Sequence, residues 1–161
     1  MTTNVATARS TEFAYERAFD AHWSDVFRFA LAWTNDWGAA EDLAQDAFLR
    51  LWDQRARLDW DRPVLPWLLV ATRRLATDRF RRIRRIVVGP LPAMPSVDST
   101  VHARWLDVQA AMADLSALER TALVMTALEG ASYDEAATVL QTTPGALRAA
   151  VSRARSKLET A

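Results

Sequence analysis

At 161 residues the chain has room for one domain or two small ones, and half of it is hydrophobic with a quarter charged, an ordinary globular balance. It has no cysteine and only two histidines, His22 and His102, far apart in sequence, which excludes disulfides, thiol catalysis and thiolate metal sites and leaves neither a metal nor a cofactor to expect. Its 20 basic and 20 acidic residues cancel, no run reaches the ~18 apolar residues of a membrane span, and MTTNVATARSTEF lacks a secretory apolar core, so a soluble cytoplasmic protein without a membrane partner is expected.

Residues 1–10 read as a polar, frayed tail. From about Thr11 the chain turns helical, with Phe19, Trp23, Val26, Phe27 and Ala30 on one face. Thr34-Asn35-Asp36 ends this helix, and Asp36 can cap a second one from about Trp37 to Gln54. The apolar set of that helix is Ala40, Leu43, Ala44, Ala47, Phe48, Leu51 and Trp52. Asp42, Gln45 and Asp46 stand at i, i+3 and i+4, so they share one polar patch. Glu41 and Asp42 also suit the positive end of the helix dipole, which accounts less well for Gln45 and Asp46.

Arg55 to Leu65 is a loop by composition, with Pro63 and Pro66 placed where a helix can begin. Trp67, Leu68, Ala71, Leu75 and Ala76 then form one stripe, so an amphipathic helix follows. Between Arg57 and Arg85 nine arginines face three aspartates, whereas residues 1–56 hold five basic and nine acidic residues and residues 86–161 six and eight. A neutral chain that gathers its positive charge on one helix carries an electrostatic footprint for a polyanion. The acidic and basic thirds point to different partners.

Gly and Pro cluster between Gly89 and Pro95, which places a linker at 87–99 between domains at 11–86 and 100–159. Val101, Trp105, Val108 and Met112 give one amphipathic face beyond it. Ser116-Ala-Leu-Glu119 and Ser132-Tyr-Asp-Glu135 are capping boxes, the first opening a helix that stops at Gly130. Gln141-Thr142-Thr143 forms a turn, Thr143 caps, and Pro144 opens a final helix to about Leu158 bearing Arg148, Arg153, Arg155 and Lys157. A short helix, a tight turn and a basic helix make a helix-turn-helix pattern. The fold expected is all-α, two small helical domains joined by a Pro-rich linker, the second a helix-turn-helix domain. No Gly-rich phosphate loop and no paired nucleophile and base are present, so an enzyme is not expected.

The order of these motifs resembles the extracytoplasmic-function group of the bacterial sigma-70 family over residues 12–159. The family pattern E-D-L-V-Q-E matches Glu41-Asp42-Leu43-Ala44-Gln45-Asp46. The resemblance implies that Asp42, Gln45 and Asp46 meet the clamp helices of the core RNA polymerase β′ subunit. It implies that the loop Leu58–Leu65, with Trp60 and Arg62, captures a flipped base of the −10 promoter element. Trp67 matches a buried family tryptophan, and Arg73, Arg74 and Asp78 match R-N-x-x-x-D, with Arg73, Arg74 and Arg79 on the DNA side. For the −35 element it implies contacts from Thr143, Arg148, Ser152, Arg153 and Arg155. Where the family has G-T-V-K-S-R-L, this chain has Gly145-Ala146-Leu147-Arg148-Ala149-Ala150-Val151. Ala150 therefore either marks a lost second basic contact, which Ala150→Arg would restore, or packs against an unusual −35 element such as a thymine methyl, in which case the same change would weaken binding. The function implied is that of a sigma factor, with promoter DNA as second partner and room for a separate anti-sigma protein. The alternative is a helix-turn-helix regulator acting without polymerase.

Overall fold

The computed structural model describes residues 2–85, 106–128 and 130–160, with side chains from residue 9 and without those of residues 80, 82–85 and 128. Every regular element among them is helical. The linker at 87–99, Val101 and Trp105 lie outside the described residues.

Helix α1 spans Thr2–Thr34, so the segment expected to fray is helical from Thr2. Nothing within it breaks it, since the stretch holds neither Gly nor Pro. The chain reverses at Asn35, whose φ of 53° is left-handed, a conformation asparagine tolerates. Asp36 then caps α2, Trp37–Gln54, by accepting from the Ala39 N–H at 2.7 Å. Helix α3, Leu65–Arg85, returns along both, with Pro66 in its first turn.

These three helices pack through Val26, Phe29 and Ala30 of α1, Leu43, Ala44, Ala47, Phe48 and Leu51 of α2, and Leu68, Leu69 and Ala76 of α3. Alanines at 40, 44 and 47 are fully buried and let the backbones approach closely. Thr72 is also fully buried, its hydroxyl donating to the Leu68 carbonyl at 2.8 Å, which satisfies it without a tertiary partner. Phe19, expected on the core face, is 37% exposed. It forms the outer rung of an aromatic ladder, 5.1 Å from Trp23 and 4.9 Å from Phe48, while Tyr15 meets Trp52 at 5.0 Å. Such pairs contribute about 0.5–1.5 kcal/mol each beyond buried area. They engage two of the chain's seven tryptophans, Trp23 and Trp52.

The second half begins with α4, described over 106–111. Val108 does not face a core as its spacing suggests; it and Leu106 are exposed. Helix α5, Ala117–Leu123, continues into one π-turn, Val124–Leu128. Helices α6, Tyr133–Leu140, and α7, Pro144–Glu159, complete the half. Both capping boxes form as the sequence indicates. Gln141, with φ 52°, turns the chain, and Thr143 caps α7. The two halves touch: α5 and the π-turn pack on α1, and α6 packs on α3.

Candidate protein and nucleic-acid interfaces

Gln45 and Asp46 project from the outer face of α2, both exposed. Neither has a described hydrogen bond or ion pair, and the 60%-exposed Leu49 stands one turn further along the same face. Asp42 shares that face but is engaged: its Oδ2 meets Nη2 of Arg79 at 3.1 Å. The resemblance makes Arg79 a DNA contact and Asp42 a protein contact, and the structure joins them across α2 and α3. Both side chains are over 40% exposed, so the pair adds at most ~1 kcal/mol. Its effect is to occupy one nitrogen of Arg79.

The loop between α2 and α3 is fixed by a residue that sequence reasoning passes over. Arg55 lays its guanidinium 3.8 Å from the Trp52 ring centroid and donates to the Trp52 carbonyl at 2.8 Å. Its own carbonyl accepts from the Trp60 indole N–H at 2.9 Å. Trp60 is thus half-buried against the core with its polar atom satisfied, and only part of its ring remains for stacking. Arg62 is exposed and lies 3.4 Å from Asp59.

On α3, Arg73 is half-buried and its Nε is enclosed without a partner. Burial, then the neighbouring Arg74, pushes its guanidinium below the ordinary value. A desolvated cation with an unused donor is suited to an anionic oxygen. Arg74 is exposed and lines a groove of about 610 Å³ between α2 and α3 with Trp67, Arg50, Asp53 and Val70. Trp67, expected in the core, is only half-buried and forms one wall of this groove, because Leu68 and Leu69 fill the core positions beside it.

On α7 the buried stripe is Leu147, Ala150, Val151 and Ala154, which fixes the phase of the helix. Gly145, Arg148, Ala149, Ser152, Arg155 and Ser156 are exposed. The Arg148 guanidinium sits 5.2 Å from the Tyr133 ring centroid, and Arg148, Ser152 and Arg155 line one open depression with Tyr133. One expectation changes, one cap forms as the sequence indicates, and one arginine gains an internal partner. Ala150 is fully buried and cannot be a vacant DNA contact. The Thr143 hydroxyl accepts from the Ala146 N–H at 3.1 Å, which makes it a helix cap. Arg153 is tied down, its Nε donating to Glu119 at 3.1 Å.

Glu119 is the hub of the second half, its side chain only 5% exposed. Besides Arg153 it accepts from Lys157 Nζ at 2.9 Å and from the Ser116 N–H at 2.9 Å. These bonds, Lys157 first, then Ser116 and Arg153, hold its carboxyl down to about 2 from an ordinary 4.5. A lowered folded value stabilises above the unfolded pKa, and the contribution disappears as pH falls from about 4.5 towards 2. Glu119→Gln should therefore cost about 1–3 kcal/mol at pH 7, and the gap to wild type in thermal melts should narrow at pH 3. An equal gap at both pH values would remove Glu119 as the hub.

Among the described residues no group of side chains could hold a metal ion, and no helix is long and apolar enough to cross a membrane. The arrangement instead offers an acidic helix face, a basic helix behind an anchored loop, and a basic helix-turn-helix. The chain is similar to known proteins. Residues 18–86 match the family profile Sigma-70 region 2, and residues 105–158 match Sigma-70, region 4. The ECF RNA polymerase sigma factor SigC of Mycobacterium tuberculosis (strain CDC 1551 / Oshkosh) is 34% identical over 160 residues, covering 96% of this chain and 86% of that protein. SigL of Mycobacterium tuberculosis (strain ATCC 25618 / H37Rv) is 32% identical over 154 residues, covering 89% and 86%. The fold is similar to that of the sigma factor RpoE solved with the anti-sigma factor NepR from Bartonella quintana, with a TM-score of 0.71, 23% identity and 91% and 94% of the two chains covered. It is also similar to CnrH solved with the cytosolic domain of CnrY, with a TM-score of 0.67, 23% identity and coverage of 97% and 94%. Two sigma domains in this order, with relatives of this identity along nearly the whole length, place the chain in the extracytoplasmic-function group of the sigma-70 family, RNA polymerase subunits that direct promoter-specific initiation.

Proposed function

We propose that this sigma factor docks on the β′ clamp helices of core polymerase through Gln45, Asp46 and the exposed part of Asp42. The −10 element is opened by the 55–64 loop and by Arg73 and Arg74 of α3, and the −35 element is read by Arg148, Ser152 and Arg155 of α7. The observation that carries this reading is the partnerless, enclosed Nε of Arg73 on a helix whose neighbour α2 presents unpaired acid. An independent DNA-binding regulator would gain nothing from an acidic face beside its basic helix. The protein would act as a non-catalytic subunit in the cytoplasm, where polymerase is. An anti-sigma protein is a further proposed partner, since RpoE, of similar fold, was solved with one.

Arg73→Ala should leave core binding unchanged and reduce open-complex formation at the −10 element, read by permanganate footprinting. Trp60→Ala should do the same less cleanly, because it also frees the loop from Arg55. Normal melting by both variants would remove the loop and α3 from the −10 site. On the −35 side, Arg148→Ala should cost ~1–3 kcal/mol on the cognate promoter and blur its preference. Arg155→Ala should weaken all promoters about equally and lower the salt slope by roughly one unit. Identical behaviour of the two variants would contradict this division.

A further inference from the structure

Tyr133 lies between the buried core and the face of α7 that carries Arg148. It is the first residue of α6, and the capping box before it fixes its place. The Ser132 hydroxyl accepts from the Glu135 N–H at 3.2 Å, and the Glu135 carboxylate accepts from the Ser132 N–H at 2.9 Å. The Tyr133 side chain packs against the core cluster and stays half-buried. It also lines the open depression of about 300 Å³ that Arg148, Ser152 and Arg155 share.

Arg148 is exposed in the second turn of α7 and has no described hydrogen bond or ion pair. Its described partner is Tyr133, with the guanidinium over the ring at 5.2 Å from the centroid. Arg153, further along the helix, is instead held by Glu119. The tight turn between α6 and α7 sets the contact. Gln141 is left-handed at φ 52°, the Thr142 N–H donates to the Ala137 carbonyl at 3.0 Å, and Thr143 caps α7. Buried Leu147, Ala150 and Val151 then fix the phase of α7, so position 148 faces the ring. An aromatic face attracts a cation within about 6 Å. A contact through the face consumes none of the guanidinium's N–H donors. Arginine has a long flexible stem, yet a bidentate contact with guanine O6 and N7 needs its planar fork in one orientation. A ring that holds the fork before DNA arrives lowers the ordering cost of that contact.

We propose that Tyr133 is a positioning residue for −35 recognition, its ring pre-orienting Arg148 for the two-acceptor edge of a guanine. This rests on the reading of α7 as the −35 face. Tyr133 acts through Arg148 and by its ring alone, so phenylalanine serves equally well at this position. The ring supplies discrimination at one base pair and leaves phosphate contacts, such as that of Arg155, as they are. Part of the sequence preference is thus set from α6, outside the reading helix.

The full chain with core polymerase is assayed by run-off transcription on a promoter recovered from genomic fragments, and on copies bearing each single base-pair change in its −35 element. Arg148→Ala should abolish discrimination at one G·C pair. Tyr133→Leu should lower discrimination at that same pair roughly two- to five-fold and leave the salt slope unchanged. In the double variant it should add nothing to Arg148→Ala. Tyr133→Phe should match wild type. In NMR spectra of the free wild-type chain, the ring current should move the Arg148 side-chain protons upfield, and this holds as a test even if Tyr133→Leu melts early. Arg148 protons at random-coil positions in wild type would overturn the proposal. So would a loss in Tyr133→Phe equal to that in Tyr133→Leu, which would give the hydroxyl a DNA contact of its own. Unchanged discrimination in a folded Tyr133→Leu chain, or additive losses in the double variant, would overturn it and leave Arg148 as a −35 reader. Full discrimination at every −35 pair in Arg148→Ala would instead sink the reading of α7 on which the proposal rests.

Discussion

Asp46→Arg is expected to weaken binding to core polymerase by roughly 10²- to 10³-fold, because placing like charges together in an interface costs several kcal/mol. Asp46 is exposed in the middle of α2 with no described hydrogen bond or ion pair. The change should therefore leave the fold within about ±0.5 kcal/mol, as for most surface substitutions. Helicity and melting temperature check the fold, and fluorescence anisotropy with core polymerase measures the affinity. Asp42→Arg should be less specific, because it also breaks the contact with Arg79 and sets two cations together. Unchanged affinity in a normally folded Asp46→Arg protein would remove α2 as the docking face.

Ala150→Arg is expected to disrupt the second half instead of improving DNA contact. Ala150 is fully buried beside Leu147, Val151 and Ala154. Overpacking costs ~1–3 kcal/mol and an unpaired buried charge several more, so the loss should reach about 3–5 kcal/mol. For a domain of this size that corresponds to a fall in melting temperature of at least about 10 °C. The neighbouring Ala149→Arg, at an exposed position, should leave stability nearly unchanged and tighten binding to duplex DNA in a salt-dependent way. If instead Ala150→Arg melted normally and bound promoter more tightly, position 150 would have to face solvent, and α7 would be rotated about its axis relative to the core.

The helix boundaries were legible because their signals are local. Asp36, Ser116, Ser132 and Thr143 cap the helices that their spacing announced. The acidic face of α2 was legible too, since i, i+3 and i+4 positions share a side whatever the tertiary fold. A vacant or close-packed DNA contact at position 150 is excluded by its burial, for a reason also present in the sequence. Leu147, Ala150, Val151 and Ala154 repeat at the spacing of a buried stripe, and a motif matched by letters overrode that phase. Trp67 packs against the core but stays half-buried, because the two leucines next to it take the buried positions. Arg153 and Arg79 looked free because their partners, Glu119 and Asp42, lie 34 and 37 residues away. The hydrogen bonds from Arg120 to the Ala32 and Trp33 carbonyls have no local signal at all; they depend on how the two halves meet.

Whether the chain works as a subunit of polymerase is decided by run-off transcription from a genomic fragment library with purified chain and core polymerase. Discrete transcripts are expected from a small set of fragments, absent with either component alone and lost with Asp46→Arg. Tight, sequence-specific binding of the chain alone to duplex DNA, with no transcript upon adding core polymerase, would contradict the subunit role.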